Sequence, residues 1–494
     1  MDDSNKYYQS RHFLRLLHRY EKAVSEGHVP YLEADELTDI AEYYMTGKQD
    51  AKATQAIQAA IEMHPDSVDP QVFLARQKMF YGQLDEAHSI IDGITEQEDA
   101  EVIYIRAELL IKEEKPEEAS AFLLEQEEQM QDSLDSYLYD CTSIFMDYDE
   151  WELAEEWIER LREYDPNHPQ LPIMEAEIQM GLDNYEEALP MLQKIIDEEP
   201  YNSEAWNLLA ETYVALEMNS EALEAADYSL AINPQDGDAL LSKGNAYMHD
   251  GQTGLAIECY KKYLEQHDNL GVEISLGLCY GSTGRIEELM QLMEKAEQHA
   301  QNLTDREEEL SVIYRLKSYG LSQQGKQTES FAAIKRAREL SDESEEWKYD
   351  LMEGDICLQF KQTKKAETFF ASALEKSPEQ GETLFDIAMR YSKAGFNDTA
   401  IDLLDDVWTI FGNEEGKFVV PYLANCYLHK NDTENFLKFL KQAPYCDREA
   451  TIQLFRDRFP DVAPEDYYAY AYKEVHGVFP DSLKEEEESD DLPF

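Results

Sequence analysis

Between Ser203 and Pro234 the apolar and small residues fall at helical intervals and change phase once. With Ser203 counted as position 1, Trp206, Leu209, Ala210 and Tyr213 occupy positions 4, 7, 8 and 11. Steps of three and four place all four on one helical face. After a short polar break, Ala222, Ala226, Ser229 and Leu230 form a second face at positions 20, 24, 27 and 28. Pro234 ends that face at position 32, because a proline ring cannot continue a helix. The pattern predicts two antiparallel helices in about 34 residues, a unit too small to bury both its apolar faces alone.

The same spacing runs along most of the chain. Pro166, Pro200, Pro234 and Asp268 are each 34 residues apart, and so are Ala154, Ala188, Ala222 and Ala256. Extending the frame gives twelve units, starting near Ala34, Val68, Ala100, Asp135, Pro169, Ser203, Gly237, Leu270, Ser311, Trp347, Gly381 and Lys417. Position 8 reads Ala41, Ala75, Ala107, Thr142, Ala176, Ala210, Gly244, Gly277, Ser318, Gly354, Ala388 and Ala424, every one of them small. Position 20 is small in ten of the twelve, the exceptions being Leu289 and Phe436. Small side chains at fixed places mark where two helices cross closely, since bulk at such a point forces the backbones apart.

A large residue, Leu, a small residue, Tyr, Ala and a closing Pro in this order resembles the tetratricopeptide repeat. The resemblance covers roughly residues 34–450. It implies an all-α fold, a right-handed superhelical solenoid of about twelve tandem helix-turn-helix repeats with the first helices lining the concave side. Residues 1–33 are expected to form an N-terminal cap, with Phe13, Leu16, Leu17, Tyr20 and Val24 along one face of a helix. A first solenoid segment would span 34–303. Leu289 and Ser330, both at position 20, are 41 residues apart, so the phase slips near 298–308. The slip is expected as longer helices or a longer loop. A second segment would follow over 304–450. Capping helices are expected at 451–483, one of them opened by Pro464 and carrying Tyr467, Tyr468, Tyr470 and Tyr472, and the acidic run 484–494 is expected to be disordered.

Charge changes the picture most. The 105 acids against 43 bases give a formal charge of −62, which turns away nucleic acid and anionic membranes. Two readings of that charge stand side by side: a self-repelling soluble surface, or a groove for a basic protein or peptide. No apolar run approaches the ~20 residues of a membrane span, and the first residues lack a basic-then-apolar leader pattern. A cytoplasmic location is the expectation. Cys141, Cys259, Cys279, Cys357 and Cys426 fall on apolar helix faces and Cys446 lies near the C-terminal end; without a Cys-x-x-Cys pair they read as core residues.

No catalytic residue, metal or cofactor is expected. Residues 320–327 resemble a phosphate-binding loop but lack its final Ser or Thr, and Gly325 falls at the turn of a repeat, position 15, with Gly82, Gly251, Gly284 and Gly395. Gly277, Gly281 and Gly284 lack dinucleotide-binding spacing.

Given the resemblance, ligand contacts are expected from positions 5 and 9 of first helices. The candidates are Tyr104 and Glu108, Tyr139 and Ser143, Glu177, Asn207 and Glu211, and Asn245. Their aromatic, acidic and amide groups suit an extended segment bearing Lys or Arg, and suit a solvated inner face equally. Some members of the family hold a partner's C-terminal carboxylate with Lys at position 5 and Asn at position 9. Here Asn245 matches, but Leu241 replaces the Lys. The expected function is a non-enzymatic scaffold or adaptor for a basic protein or peptide partner, with no direct nucleic-acid partner and no membrane insertion. The alternatives are an assembly chaperone or inhibitor that masks a basic nucleic-acid-binding protein, and a subunit of an enzyme complex whose site a partner completes.

Overall fold

Small, buried residues recur at position 8 of the first helix and at position 20 of the second in hairpin after hairpin. The structure, a computed structural model, describes residues 7–480 except 48, 302, 304, 305 and 342, with the backbone alone at 131, 132, 343, 413 and 414. The acidic run 484–494 and the first six residues lie outside the described residues. Among the described residues every regular element is a helix.

The chain forms an all-α solenoid with two compact units, Met1–His267 and Asp268–Phe494. In the first unit a leading helix, Arg11–Ser25, precedes seven helical hairpins. In order they are Ala34–Thr46 with Asp50–Met63, Val68–Phe80 with Leu84–Gly93, Ala100–Lys112 with Pro116–Gln126, and Leu134–Asp147 with Trp151–Tyr164. Leu171–Gly181 with Tyr185–Glu198, Ser203–Ala215 with Asn219–Ile232, and Gly237–His249 with Thr253–Leu264 follow. The second unit holds five more: Leu270–Ser282 with Ile286–Gln301, Glu307–Gln323 with Gln327–Glu339, Glu346–Gln359 with Thr363–Lys376, Gln380–Lys393 with Asn397–Glu415, and Val420–His429 with Thr433–Leu440. The phase slip is taken up in helix length: Ile286–Gln301 has 16 residues and Glu307–Gln323 has 17, against 13 in Ser203–Ala215.

Every residue at positions 8 and 20 is buried, from Ala41 and Ala53 to Ala424 and Phe436. In the ninth hairpin the two positions are both serines, and they bond reciprocally. Ser318 Oγ donates to the Ser330 carbonyl at 2.9 Å and Ser330 Oγ to the Ser318 carbonyl at 2.9 Å. The tenth hairpin shows the steric limit, for a Cβ on Gly354 would sit 2.2 Å from the Phe370 ring. The two position-20 exceptions, Leu289 and Phe436, are themselves buried. In the eighth hairpin the second-helix residue over Gly277 is Met293, for a Cβ on that glycine would sit 2.6 Å from its methyl.

Position 15, the turn, carries a second constraint. Five glycines there have positive φ: Gly82, Gly251, Gly284, Gly325 and Gly395. Glu114, Asp149, Asp183, Glu217, Lys361 and Asn431 hold the same left-handed conformation with φ between 57° and 61°. The next amide then reaches back five residues to the first helix, as in Met218 N–H to the Tyr213 carbonyl at 2.8 Å and Gln362 N–H to the Cys357 carbonyl at 2.8 Å. This closure satisfies carbonyls that a helix end leaves open. First helices open on side-chain caps at Asp99, Asn202, Asp236 and Asn269.

After the last hairpin, Tyr467 and Ala471 of the helix Tyr467–His476 pack with Phe436, Leu440 and Phe455 and cover the apolar face of that hairpin. Five cysteines are buried and Cys446 is half-buried; all six are free thiols.

Two stability changes follow from these contacts. Ala222→Leu places bulk at a fully buried crossing and should cost about 1–3 kcal/mol, read as a lower thermal unfolding midpoint. An unchanged midpoint would mean the crossing is not where position 20 puts it. Lys361→Gly relieves a left-handed exposed lysine and should raise stability by up to about 1 kcal/mol in urea unfolding, whereas Gly325→Ala should lower it.

Candidate functional site

Positions 2, 5 and 9 of a first helix share one face, since they are three and seven residues apart. In the first unit position 2 is acidic in five of seven hairpins, at Asp35, Asp69, Glu101, Glu204 and Asp238. Position 9 adds Glu42, Glu108, Glu177 and Glu211. Packing successive first helices side by side therefore lines up carboxylates from hairpin to hairpin.

A cleft of about 1020 Å³ opens on this face between the first helices of the sixth and seventh hairpins. Glu204, Asn207 and Glu211 come from Ser203–Ala215, Asp238 and Ser242 from Gly237–His249, and Glu177 from Leu171–Gly181. Gln266 and His267 border it from beyond Thr253–Leu264, and Gln9 from just before Arg11–Ser25. Tyr201 stands at the rim, 86% exposed. Five carboxylates and one histidine face the cleft, and among the described residues no lysine or arginine does.

These carboxylates are poorly compensated. Burial, then the neighbouring Glu204, Glu211 and Asp147, push Glu177 up to about 7. Burial also raises Glu211, with Asp238 adding to it. Asp238 is raised by burial and by Asp236, against a smaller opposing pull from His267. Farther along the same face Glu42, Asp69, Asp140 and Asp147 are raised as well, chiefly by burial. Desolvation and like charge both disfavour the ionised form, so the face stores unfavourable energy at neutral pH that a cation would relieve.

The expected contact residues separate into two groups. Glu177, Asn207 and Glu211 come together in the cleft. Asn207 Nδ2 donates to Asp236 Oδ1 at 2.9 Å, and Asp236 in turn caps the seventh first helix by accepting from Ala239 N–H. Asn207 Oδ1 is buried without a partner among the described residues. The others lie outside the cleft, and most are engaged with their neighbours. Tyr104 is buried, stacks on Tyr137 at 5.8 Å between centroids and donates to Asp140 Oδ2 at 2.9 Å. Glu108 is held by Arg76 at 2.8 Å. The Tyr139 ring lies 5.4 Å from that of His168, and Ser143 is half-buried. Asn245 accepts from the Tyr260 hydroxyl at 2.7 Å.

Positions 5 and 9 alone do not single out Glu204, Asp236, Asp238 or His267. Position 2 shares their face, and its repeated acids were a signal available for Glu204 and Asp238. His267 lies beyond a second helix and reaches the cleft only through folding. Among the described residues no group of three or more His, Cys, Asp or Glu side chains is placed to hold a metal ion, and no helix is long and apolar enough to cross a membrane.

Residues 179–227 and 212–270 each match a family model described as Tetratricopeptide repeat, and these stretches include the sixth and seventh hairpins. None of the curated proteins matches the chain. Among solved structures the chain is similar to the APC/C hetero-tetramer Cut9-Hcn1, at 14% identity over 76% of this chain and 73% of that one, with a TM-score of 0.40. It is also similar to a tetratricopeptide repeat protein from Parabacteroides merdae, at 18% identity over 50% and 95%, with a TM-score of 0.37. A third is YrrB, titled a TPR protein with an unusual peptide-binding site, at 15% identity over 39% and 95%, with a TM-score of 0.32.

The raised Glu177 fixes the sign of a pH effect. Its folded-state value lies above that of an unfolded glutamate, so its ionisation weakens the fold increasingly as pH rises from the unfolded value through about 7. Glu177→Gln should raise the unfolding midpoint clearly more at pH 8 than at pH 5, where the folded wild-type carboxyl is still neutral. Equal effects at both pH values would show that burial does not perturb this group.

Proposed function

We propose that this chain, a tetratricopeptide repeat protein, is a non-catalytic scaffold that holds a basic segment of a partner protein in the acidic cleft of its first unit. Tandem repeats of this kind make the chain a platform for protein–protein interaction. The observation that carries the finer reading is the cleft's five carboxylates with no lysine or arginine among its lining residues. A partner's Lys or Arg would supply the missing counter-charge through charge-assisted hydrogen bonds to Glu177, Glu211 and Asp238. The free Asn207 Oδ1 offers an acceptor for an extended backbone, and exposed Tyr201 offers a face for an alkyl stem or guanidinium. The same negative field turns away nucleic acid and speeds the approach of a basic partner.

The formal charge of −62 supports a second reading, in which the bound partner is a nucleic-acid-binding protein whose basic surface is masked. In that case DNA or RNA would compete with the scaffold for the partner. Under the first reading the bound segment has no nucleic-acid function and competition is absent.

The experiment is fluorescence anisotropy of a labelled nona-lysine peptide against the full chain. Binding should weaken steeply as salt rises, and Glu211→Gln with Asp238→Asn should reduce affinity about tenfold at low salt. Affinity unchanged in the double variant would remove the cleft from the account.

A further inference from the structure

The second unit has its own cleft at the corresponding place in the repeat, and its lining is different. It encloses about 390 Å³ between Gln380–Lys393 of the eleventh hairpin, the start of Glu346–Gln359, and the turn that leads into the twelfth. Its walls are aromatic: Trp347, Phe385, Phe411 and Phe418. Phe385 meets Phe418 edge-on at 5.2 Å, and Phe411 meets Phe418 edge-on at 5.4 Å. Edge-to-face pairing holds such rings at fixed angles. Glu379, Glu382 and Asp386 stand on the same cleft.

The backbone is shaped to deliver these rings. Gly412 breaks the second helix of the eleventh hairpin with φ 83° and ψ 176°, a conformation open essentially to glycine alone, directly after Phe411. The Phe411 ring lies so close to Gly381 that a Cβ there would come within 2.8 Å of it. Position 5, Asn207 in the sixth hairpin, is Phe385 here. Position 2 of the following hairpin, Asp238 there, is Phe418 here.

We infer that this cleft receives a single lysine or arginine side chain of a bound protein segment, with its stem along the aromatic walls and its charged head at Glu379, Glu382 and Asp386. An aromatic floor alone would suit an apolar side chain. The three carboxylates decide against one, because none of them is paired with a lysine or arginine among the described residues. Two of them, Glu379 and Glu382, are neighbours, and Glu379 holds Glu382 above the usual carboxylate range. A cation would relieve that like-charge contact. The aromatic walls add attraction to a positive charge that they would not offer a neutral stem. Within the chain, Lys348 lies 5.8 Å from the centre of the Trp347 ring and is paired with Glu345, so one ring of this site already carries a cation on its face. The inference stands on the second unit's own residues and does not depend on the cleft of the first.

The test titrates the full chain with acetyl-Gly-Lys-Gly-amide, its arginine analogue and its norleucine analogue. The readout is the Trp347 indole N–H resonance, assigned by its loss in Trp347→Phe. The lysine and arginine peptides should shift that resonance saturably, and the norleucine peptide should not. Glu382→Gln with Asp386→Asn, both exposed positions, should weaken the lysine peptide about tenfold with an unchanged unfolding midpoint. Glu177→Gln with Glu211→Gln should leave the shift intact. Equal binding of norleucine and lysine would overturn the assignment, as would a shift that the first-unit variant abolishes, or no saturable shift with any of the three peptides.

Discussion

Close approach of two helices within each hairpin is the contact on which the rest of the molecule depends. Positions 8 and 20 are buried in every hairpin; Ser318 and Ser330 bond across one crossing, and where position 8 is Gly244, Gly277 or Gly354 a Cβ would collide with Tyr260, Met293 or Phe370 of the second helix. With backbones this near, each hairpin presents a flat side to its successor, and apolar residues such as Trp157, Tyr137 and Tyr349 fill the space between them. A solenoid distributes its stability this way, as a run of similar nearest-neighbour contacts in place of one central core.

The turn works with the crossing. A left-handed residue at position 15 ends the first helix and lets the next amide cap it, so the second helix starts at a fixed place and angle. Glycine is the unstrained choice, yet six described turns use Glu, Asp, Lys or Asn. The closing hydrogen bonds and the packing of the hairpin offset that strain, which each residue bears at a cost of about 1–2 kcal/mol.

Once first helices are held in parallel ranks, their exposed face becomes a surface on which a few positions write the chemistry. In the first unit positions 2 and 9 bring carboxylates together in partial burial, and Glu177 is driven toward neutrality by burial and by Glu204 and Glu211. An arrangement that weakens the free fold favours a ligand of opposite charge, because binding removes the repulsion. In the second unit the corresponding cleft keeps acids at its edge but exchanges its walls for Phe385 and Phe418. One backbone scheme thus supports two different linings.

Much of this was legible in the chain as written. The recurrence of small residues from Ala41 to Ala424 and from Ala53 to Ala400 marked the twelve hairpins, because a close crossing admits few side chains, but not every start: the ninth opens at Glu307, ahead of Ser311, and the twelfth at Val420, after Lys417. Glycines at position 15 marked five turns, but Glu114, Glu217 and Lys361 gave no sign of a left-handed backbone, since that conformation is imposed by the closing hydrogen bonds and not by the side chain. Positions 5 and 9 located Glu177, Asn207 and Glu211 together. They also proposed Tyr104, Glu108 and Asn245, which the fold spends on Asp140, Arg76 and Tyr260. Which candidates stay available depends on partners from other hairpins, and those distances arise only when the hairpins stack. His267 in the acidic cleft and Phe411 in the aromatic one are likewise products of tertiary structure, each carried to its place by a chain segment whose own spacing says nothing of a ligand.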